Sequence, residues 1–288
     1  MKKEYHIQPN HAGLCVRDYA RSVLGLSART LKNAKYNGSI TVTGMSVHTN
    51  YVLRAGDVLC FDFPDAGSST VLAENIPLSV LYEDEDILAV DKPSGMASHP
   101  TLTHTSGTLA NAVLYYYRTH PFTFRLLTRL DADTTGVAII AKNALFAAKF
   151  PSLQPQKFYY ALCVGTPPAP QGLIDAPIDR APDSILARCV APCGKPSQTE
   201  YRVLSEKIGL SLVEAMPLTG RTHQIRLHLA HIGCPLYGDF LYGTEIPGER
   251  TRLHCHAVSF DHPQTGKRMT IEAPLPADYS FYTETSCE

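Results

Sequence analysis

The sequence predicts an α+β protein with a small unit in front of a larger one, and three observations carry that reading. After position 78, apolar strand-like runs predominate, with helices scattered among them; the regular strand–helix alternation of a doubly wound sheet is missing. Residues 13–63 pack two helical segments and two short alternating segments into a compact stretch. Charge is also divided. The 288 residues carry a net charge of −1, yet the stretch up to Phe63 carries +4 and the remainder −5. A basic front unit is suited to a polyanion.

A chain of this length fits one large and one small domain. Hydrophobic residues make up 44%, enough for a packed core, and they form no eighteen-residue apolar run, so no membrane association is expected. Met1-Lys2-Lys3-Glu4-Tyr5-His6 starts basic without an apolar stretch behind it, unlike a signal peptide, so a cytoplasmic protein is expected. The eight cysteines are dispersed. Neither Cys189 with Cys193 nor Cys255 between His254 and His256 has the paired spacing of a zinc site; no metal is expected, and buried reduced thiols fit better.

In the front unit, Val16, Tyr19, Ala20 and Val23 share one side of a helix predicted over residues 16–24. Ser27 is placed to cap a second helix, on which Arg29 and Lys32 lie one turn apart with Lys35 just beyond. Asn37-Gly38 ends that helix, and strands follow at residues 39–42 and 58–61. A basic helix is by itself an ordinary solvated surface. Here residues 26–44, continued by Arg54-Ala55-Gly56-Asp57, make the unit similar to the ribosomal-protein S-four-type RNA-binding domain. That likeness implies that Arg29, Lys32 and Lys35 face RNA. The units then run 1–63 and 78–288, with residues 64–77 as linker.

In the larger unit, Ile87-Leu88-Ala89-Val90 reads as a buried strand, Leu109 to Tyr117 as an amphipathic helix, and Asn143 as the cap of another helix. Arg129-Leu130-Asp131-Ala132-Asp133-Thr134-Thr135-Gly136 leads into the apolar run Val137-Ala138-Ile139-Ile140-Ala141. A loop on a rigid strand is where catalytic groups sit, although Asp and Thr also favour plain turns. Three other segments could meet Asp131. Lys157-Phe158-Tyr159-Tyr160 offers a phenol. Gly220-Arg221-Thr222-His223-Gln224-Ile225-Arg226 opens a helix whose cations suit an anion better than a metal. Pro93-Ser94-Gly95-Met96 says only that the chain turns.

With these motifs in this order, together with Asp91-Lys92, Gly238-Asp239, Tyr242-Gly243, His262-Pro263-Gln264-Thr265-Gly266 and Ala273-Pro274-Leu275-Pro276, the chain resembles the RluA-type RNA pseudouridine synthases along most of its length. The resemblance implies a mixed, largely antiparallel catalytic sheet and isomerisation of uridines in structured RNA, large-subunit ribosomal RNA before transfer RNA. No DNA substrate, cofactor or metal is implied, and a monomer is expected. Asp131 is the implied carboxylate, Arg221 its ion-pair partner, and Tyr159 the phenol that packs on the base and takes the proton from C5. Arg129, Lys142, Lys157, His223 and Arg226 are the implied RNA contacts. Thr128 stands where the family usually has His, which could touch RNA or brace a neighbouring loop, and Thr135 where it usually has Ser.

Overall fold

The computed structural model describes residues 2–62, 71–101, 105–262 and 265–279, with the side chain of Arg29 outside the described set. The front unit comprises β1 (Lys2–His6), α1 (Val16–Ser22), α2 (Ala28–Asn37), β2 (Ser39–Val42), β3 (Met45–Ser46) and β4 (Val58–Asp62). Its strands form an antiparallel sheet in the order β1-β4-β2-β3. The Ser27 hydroxyl accepts the Thr30 N–H at 3.1 Å and caps α2 as expected. The helix α1 stops at Ser22, short of the expected Leu24. Strand β1 has no apolar alternation to announce it: Lys2, Glu4 and His6 face solvent, and the strand is an edge. Val16, Tyr19, Leu31, Ile40, Leu59 and Phe61 are buried in a core of the unit's own.

The larger unit continues with β5 (Ser79–Glu83), β6 (Ile87–Lys92), α3 (Leu109–Tyr116), β7 (Thr135–Ala141), α4 (Ala144–Lys149) and β8 (Gln156–Val164). After these come β9 (Gln171–Asp175), the short hairpin β10 (Ile178–Arg180) and β11 (Arg188–Val190), then β12 (Gln198–Lys207) and β13 (Leu210–Pro217). It closes with α5 (Gln224–His231), β14 (Leu253–Asp261) and β15 (Arg268–Glu272). One sheet runs β5-β6-β7-β14-β8-β13-β12-β9, with β15 paired to β14. The β7–β14 pair is parallel and the other pairs of this sheet are antiparallel, so the sheet is mixed and largely antiparallel, as predicted. Every residue of β7 is buried, because this central strand is covered on both faces; the apolar run at 137–141 is the signature of that position.

Of the expected linker, Pro64 to Thr70 lie outside the described residues. The rest is tied down: Glu74 N–H donates to Asn111 O on α3, Asn111 Nδ2 donates to Leu72 O, and Ile76 packs on the larger core. The two units also touch. Leu145 and Ala148 of α4 pack on the front core, and Lys3 pairs with Asp86 at 3.2 Å. Among the described residues, no helix is long and apolar enough to cross a membrane.

Candidate active site

The loop bearing Asp131 is built from β7 outward. Residues 125–128 run alongside that strand: Ala141 N–H donates to Arg125 O, and Leu127 N–H to Ile139 O. Thr128 is fully buried, and its hydroxyl accepts the Ile139 N–H at 2.7 Å. At this position the buried side chain braces the loop on β7. At the far end, Gly136 has φ of 106°, and a Cβ there would lie 2.2 Å from Cys255 O on β14. Only glycine permits the two backbones to approach so closely. Thr135 Oγ1 shares a 2.8 Å hydrogen bond with His254 Nδ1 across the same parallel pair.

The Pro/Gly-rich segment after β6 clamps this loop from behind. The Lys92 ammonium, fully buried, donates to the carbonyls of Pro93 (2.9 Å), Met96 (2.8 Å) and Ala132 (2.8 Å). Ser98 donates to Leu130 O at 2.8 Å and Ser94 to Asp133 O at 3.2 Å. Burial pulls the Lys92 ammonium down to about 8, with the nearby Asp133 and Asp131 opposing that shift. Nothing in the sequence beyond the motif itself signalled that a lysine would be spent on carbonyls.

The start of α5 faces Asp131. Gln224, buried, fixes the approach: its Oε1 accepts from Arg221 N–H (3.0 Å) and Thr219 Oγ1 (2.8 Å), while Nε2 donates to Gln198 O (2.8 Å). His223 precedes the helix in the left-handed region (φ 57°, ψ 20°), an unusual place for a side chain this large. The expected Asp131–Arg221 pair does not form. Arg221 is exposed and its guanidinium donates to Pro196 O at 3.3 and 3.2 Å. The cation at Asp131 is Arg226, whose Nη1 is 3.7 Å from Asp131 Oδ2. The reason is helical geometry. Arg226 lies on the buried side of α5, where Asp239 holds its Nε and Nη2 at 2.7 and 2.6 Å, whereas Arg221 precedes the helix. Asp239, fully buried, was missed as a site residue; Gly238-Asp239 was its only trace in the sequence.

Arg129, Asp131, Lys157, Tyr159, Arg221, His223 and Arg226 line one cleft of about 480 Å³. Tyr159, on β8, is buried, and burial together with the Cys255 thiol and the Asp131 charge pushes its phenol well above its ordinary value. Burial likewise lowers the Lys157 ammonium. Arg129 is exposed and donates to Thr222 Oγ1 at 3.0 Å, joining the Asp131 loop to the approach to α5. Lys142 belongs elsewhere. It lies 2.8 Å from Glu83 Oε1, outside the cleft lining, because it follows the opposite end of β7. On α2, Lys32 and Lys35 flank the exposed Tyr36 ring at 6.0 and 5.1 Å. An anionic carboxylate in a cleft rimmed by cations can attack an electrophilic sugar carbon or accept a proton while the rim holds phosphates.

Residues 86–231 match the RNA pseudouridylate synthase family. An uncharacterized RNA pseudouridine synthase of Bacillus subtilis (strain 168), YjbO, is 40% identical over 93% of this chain and 97% of its own length. Ribosomal large subunit pseudouridine synthase D of Pseudomonas aeruginosa is 35% identical over 84% of this chain and 82% of its own. Among solved structures, human RNA pseudouridylate synthase domain containing 1 superposes with a TM-score of 0.59 at 27% identity, covering 71% of this chain and 86% of that one. The cleft, the sheet beneath it and these likenesses agree: the chain belongs to the RluA-type family of RNA pseudouridine synthases, which are isomerases.

Proposed function

We propose that this chain isomerises specific uridines of structured RNA to pseudouridine, with Asp131 as the catalytic carboxylate. Large-subunit ribosomal RNA is the favoured target and transfer RNA the second. The observation that carries this reading is Asp131 at the cleft surface with Arg226 3.7 Å away and Tyr159 in the same lining. Isomerisation breaks the bond from uracil N1 to C1′ and makes one from C5 to C1′; no atom is gained or lost, so no cofactor is needed. Asp131 serves this exchange either by attacking C1′ or by taking the 2′ proton. Arg226, 3.7 Å from Oδ2, keeps it aimed. Tyr159, with its phenol held protonated, packs against the flipped base. The extrusion costs a few kcal/mol, which favours loops.

Arg129, Lys157, Arg221 and His223 are the RNA contacts of the cleft in this reading. The front unit, through Arg29, Lys32 and Lys35, adds affinity without sequence preference. The names of the Pseudomonas aeruginosa and Pasteurella multocida relatives favour ribosomal RNA. The protein acts in the cytoplasm, as a monomer and on RNA rather than DNA.

The test compares carbodiimide-dependent primer-extension stops in total RNA from cells with the gene, without it, and with Asp131→Asn. Loss of the same stops in the last two, with RNA binding by the purified variant intact, is expected. Stops that persist with Asp131→Asn would remove the assigned carboxylate, and release of free uracil would replace isomerisation by hydrolysis.

A further inference from the structure

We propose that His223 is the base that removes the proton from uracil C5, and that Asp131 then holds the imidazolium; this rests on the isomerase reading above. Forming pseudouridine transfers one hydrogen: a C5–H bond breaks and an N1–H bond forms. When the proton leaves, C5 is already bonded to C1′, with a C6–N1 double bond in the ring. The C5–H pair becomes the C5–C6 double bond, the C6–N1 pair moves to N1, and N1 takes a proton from water. The base therefore has to stand beside the carboxylate that served the sugar.

His223 stands there. Its Nε2 is 3.8 Å from Asp131 Oδ2, and the ring lines the cleft at 15% exposure. That separation is too long for a hydrogen bond, as expected when Nε2 carries a lone pair rather than a hydrogen. Nδ1 lies 3.0 Å from the Tyr242 hydroxyl, which also accepts the Arg188 N–H at 2.8 Å. A hydroxyl oxygen has two acceptor sites, so it can take Nδ1–H as well and fix the tautomer with Nε2 free. The left-handed backbone at His223 is strain of the kind kept at reacting centres.

The surrounding charges agree. Burial, with Arg226 and Arg188, lowers the imidazole below its ordinary range, while Asp131 and Asp239 oppose the shift, so it is neutral at neutral pH and ready to accept. Once protonated, the imidazolium faces the Asp131 carboxylate across 3.8 Å. Burial raises the Tyr159 phenol well above its ordinary value, which makes it the poorer acceptor of the two at neutral pH.

The test uses the full chain and RNA carrying 5-deuterated uridine. Asn tolerates a positive φ, so His223→Asn keeps the backbone; at saturating RNA it should turn over at least about a hundredfold more slowly and show a primary isotope effect. In the unsubstituted protein, lowering the pH through the imidazole titration should raise the isotope effect, a readout that needs no variant. A His223→Asn enzyme within about tenfold of wild type would overturn the proposal. So would a slowed variant without an isotope effect, or an isotope effect flat with pH in the unsubstituted protein. An unsubstituted protein that makes no pseudouridine in any RNA would instead overturn the isomerase reading itself.

Discussion

Arg226 meets Asp239 edge-on through two hydrogen bonds of 2.7 and 2.6 Å, with Asp239 fully buried and the guanidinium 4% exposed. This bidentate grip uses Nε and Nη2 and leaves Nη1 directed at Asp131. The orientation of the cation is thus decided thirteen residues along the chain from it, by a carboxylate that lies outside the cleft lining.

Asp239→Asn should strand that cation in the interior and cost about 3 kcal/mol of stability, measured by urea unfolding at neutral pH. Burial raises the Asp239 carboxyl, but the hydrogen bonds and charge of Arg226 outweigh this and hold it below the ordinary carboxylate range. Its contribution is therefore present above the unfolded pKa and lost as pH falls through the folded one. The variant should lose less stability on acidification than wild type; equal slopes would contradict the assignment.

Arg226 and Arg221 should separate kinetically. Arg226→Lys cannot keep both contacts to Asp239 and still face Asp131, so kcat should fall at least about a hundredfold. Arg221→Gln should raise KM with kcat nearly unchanged, since its guanidinium reaches Pro196 O rather than the carboxylate. Single-turnover assays on both variants decide the matter, and a kcat collapse in Arg221→Gln would restore the pairing expected from sequence.

Gly136→Ala should be among the most damaging single substitutions in the chain. The added methyl would sit 2.2 Å from Cys255 O at a φ of 106°, so the parallel pair has to open. A loss of about 3 kcal/mol or more is expected, read as a fall in Tm.

Stability should also decline between neutral pH and pH 4 through His254. Burial, reinforced by Arg250 and His256, lowers its imidazole from 6.5 to about 4. The unfolded chain binds a proton first as pH falls, so stability is lost across that window, by about 3 kcal/mol in all. His254→Gln should flatten the urea midpoint between pH 6.5 and 4.5; an unchanged slope would count against the buried neutral ring.

Much of this was legible in the sequence, for physical reasons. The Ser27 cap, the buried strand after Gly136 and the loop carrying Asp131 are local patterns that their neighbours reinforce. What escaped was long-range. Two arginines five positions apart cannot be told apart until Asp239 selects one of them. Lys92 reads as a surface charge until Pro93, Met96 and Ala132 close around it. The pairing of Lys142 with Glu83, fifty-nine positions away, is equally invisible in the local pattern. Strand β1 is too polar to reveal itself.

Strand β14 slots between β7 and β8, although it begins nearly ninety positions after β8 ends and still further after β7. It alone sets the spacing between the strand that carries the Asp131 loop and the strand that carries Tyr159, roughly 10 Å across two ladder steps. While the chain is being synthesised, these earlier strands have emerged long before the wedge that holds them apart. The sheet beneath the cleft is therefore complete only once residues 253–261 have been made and stand between the two earlier strands.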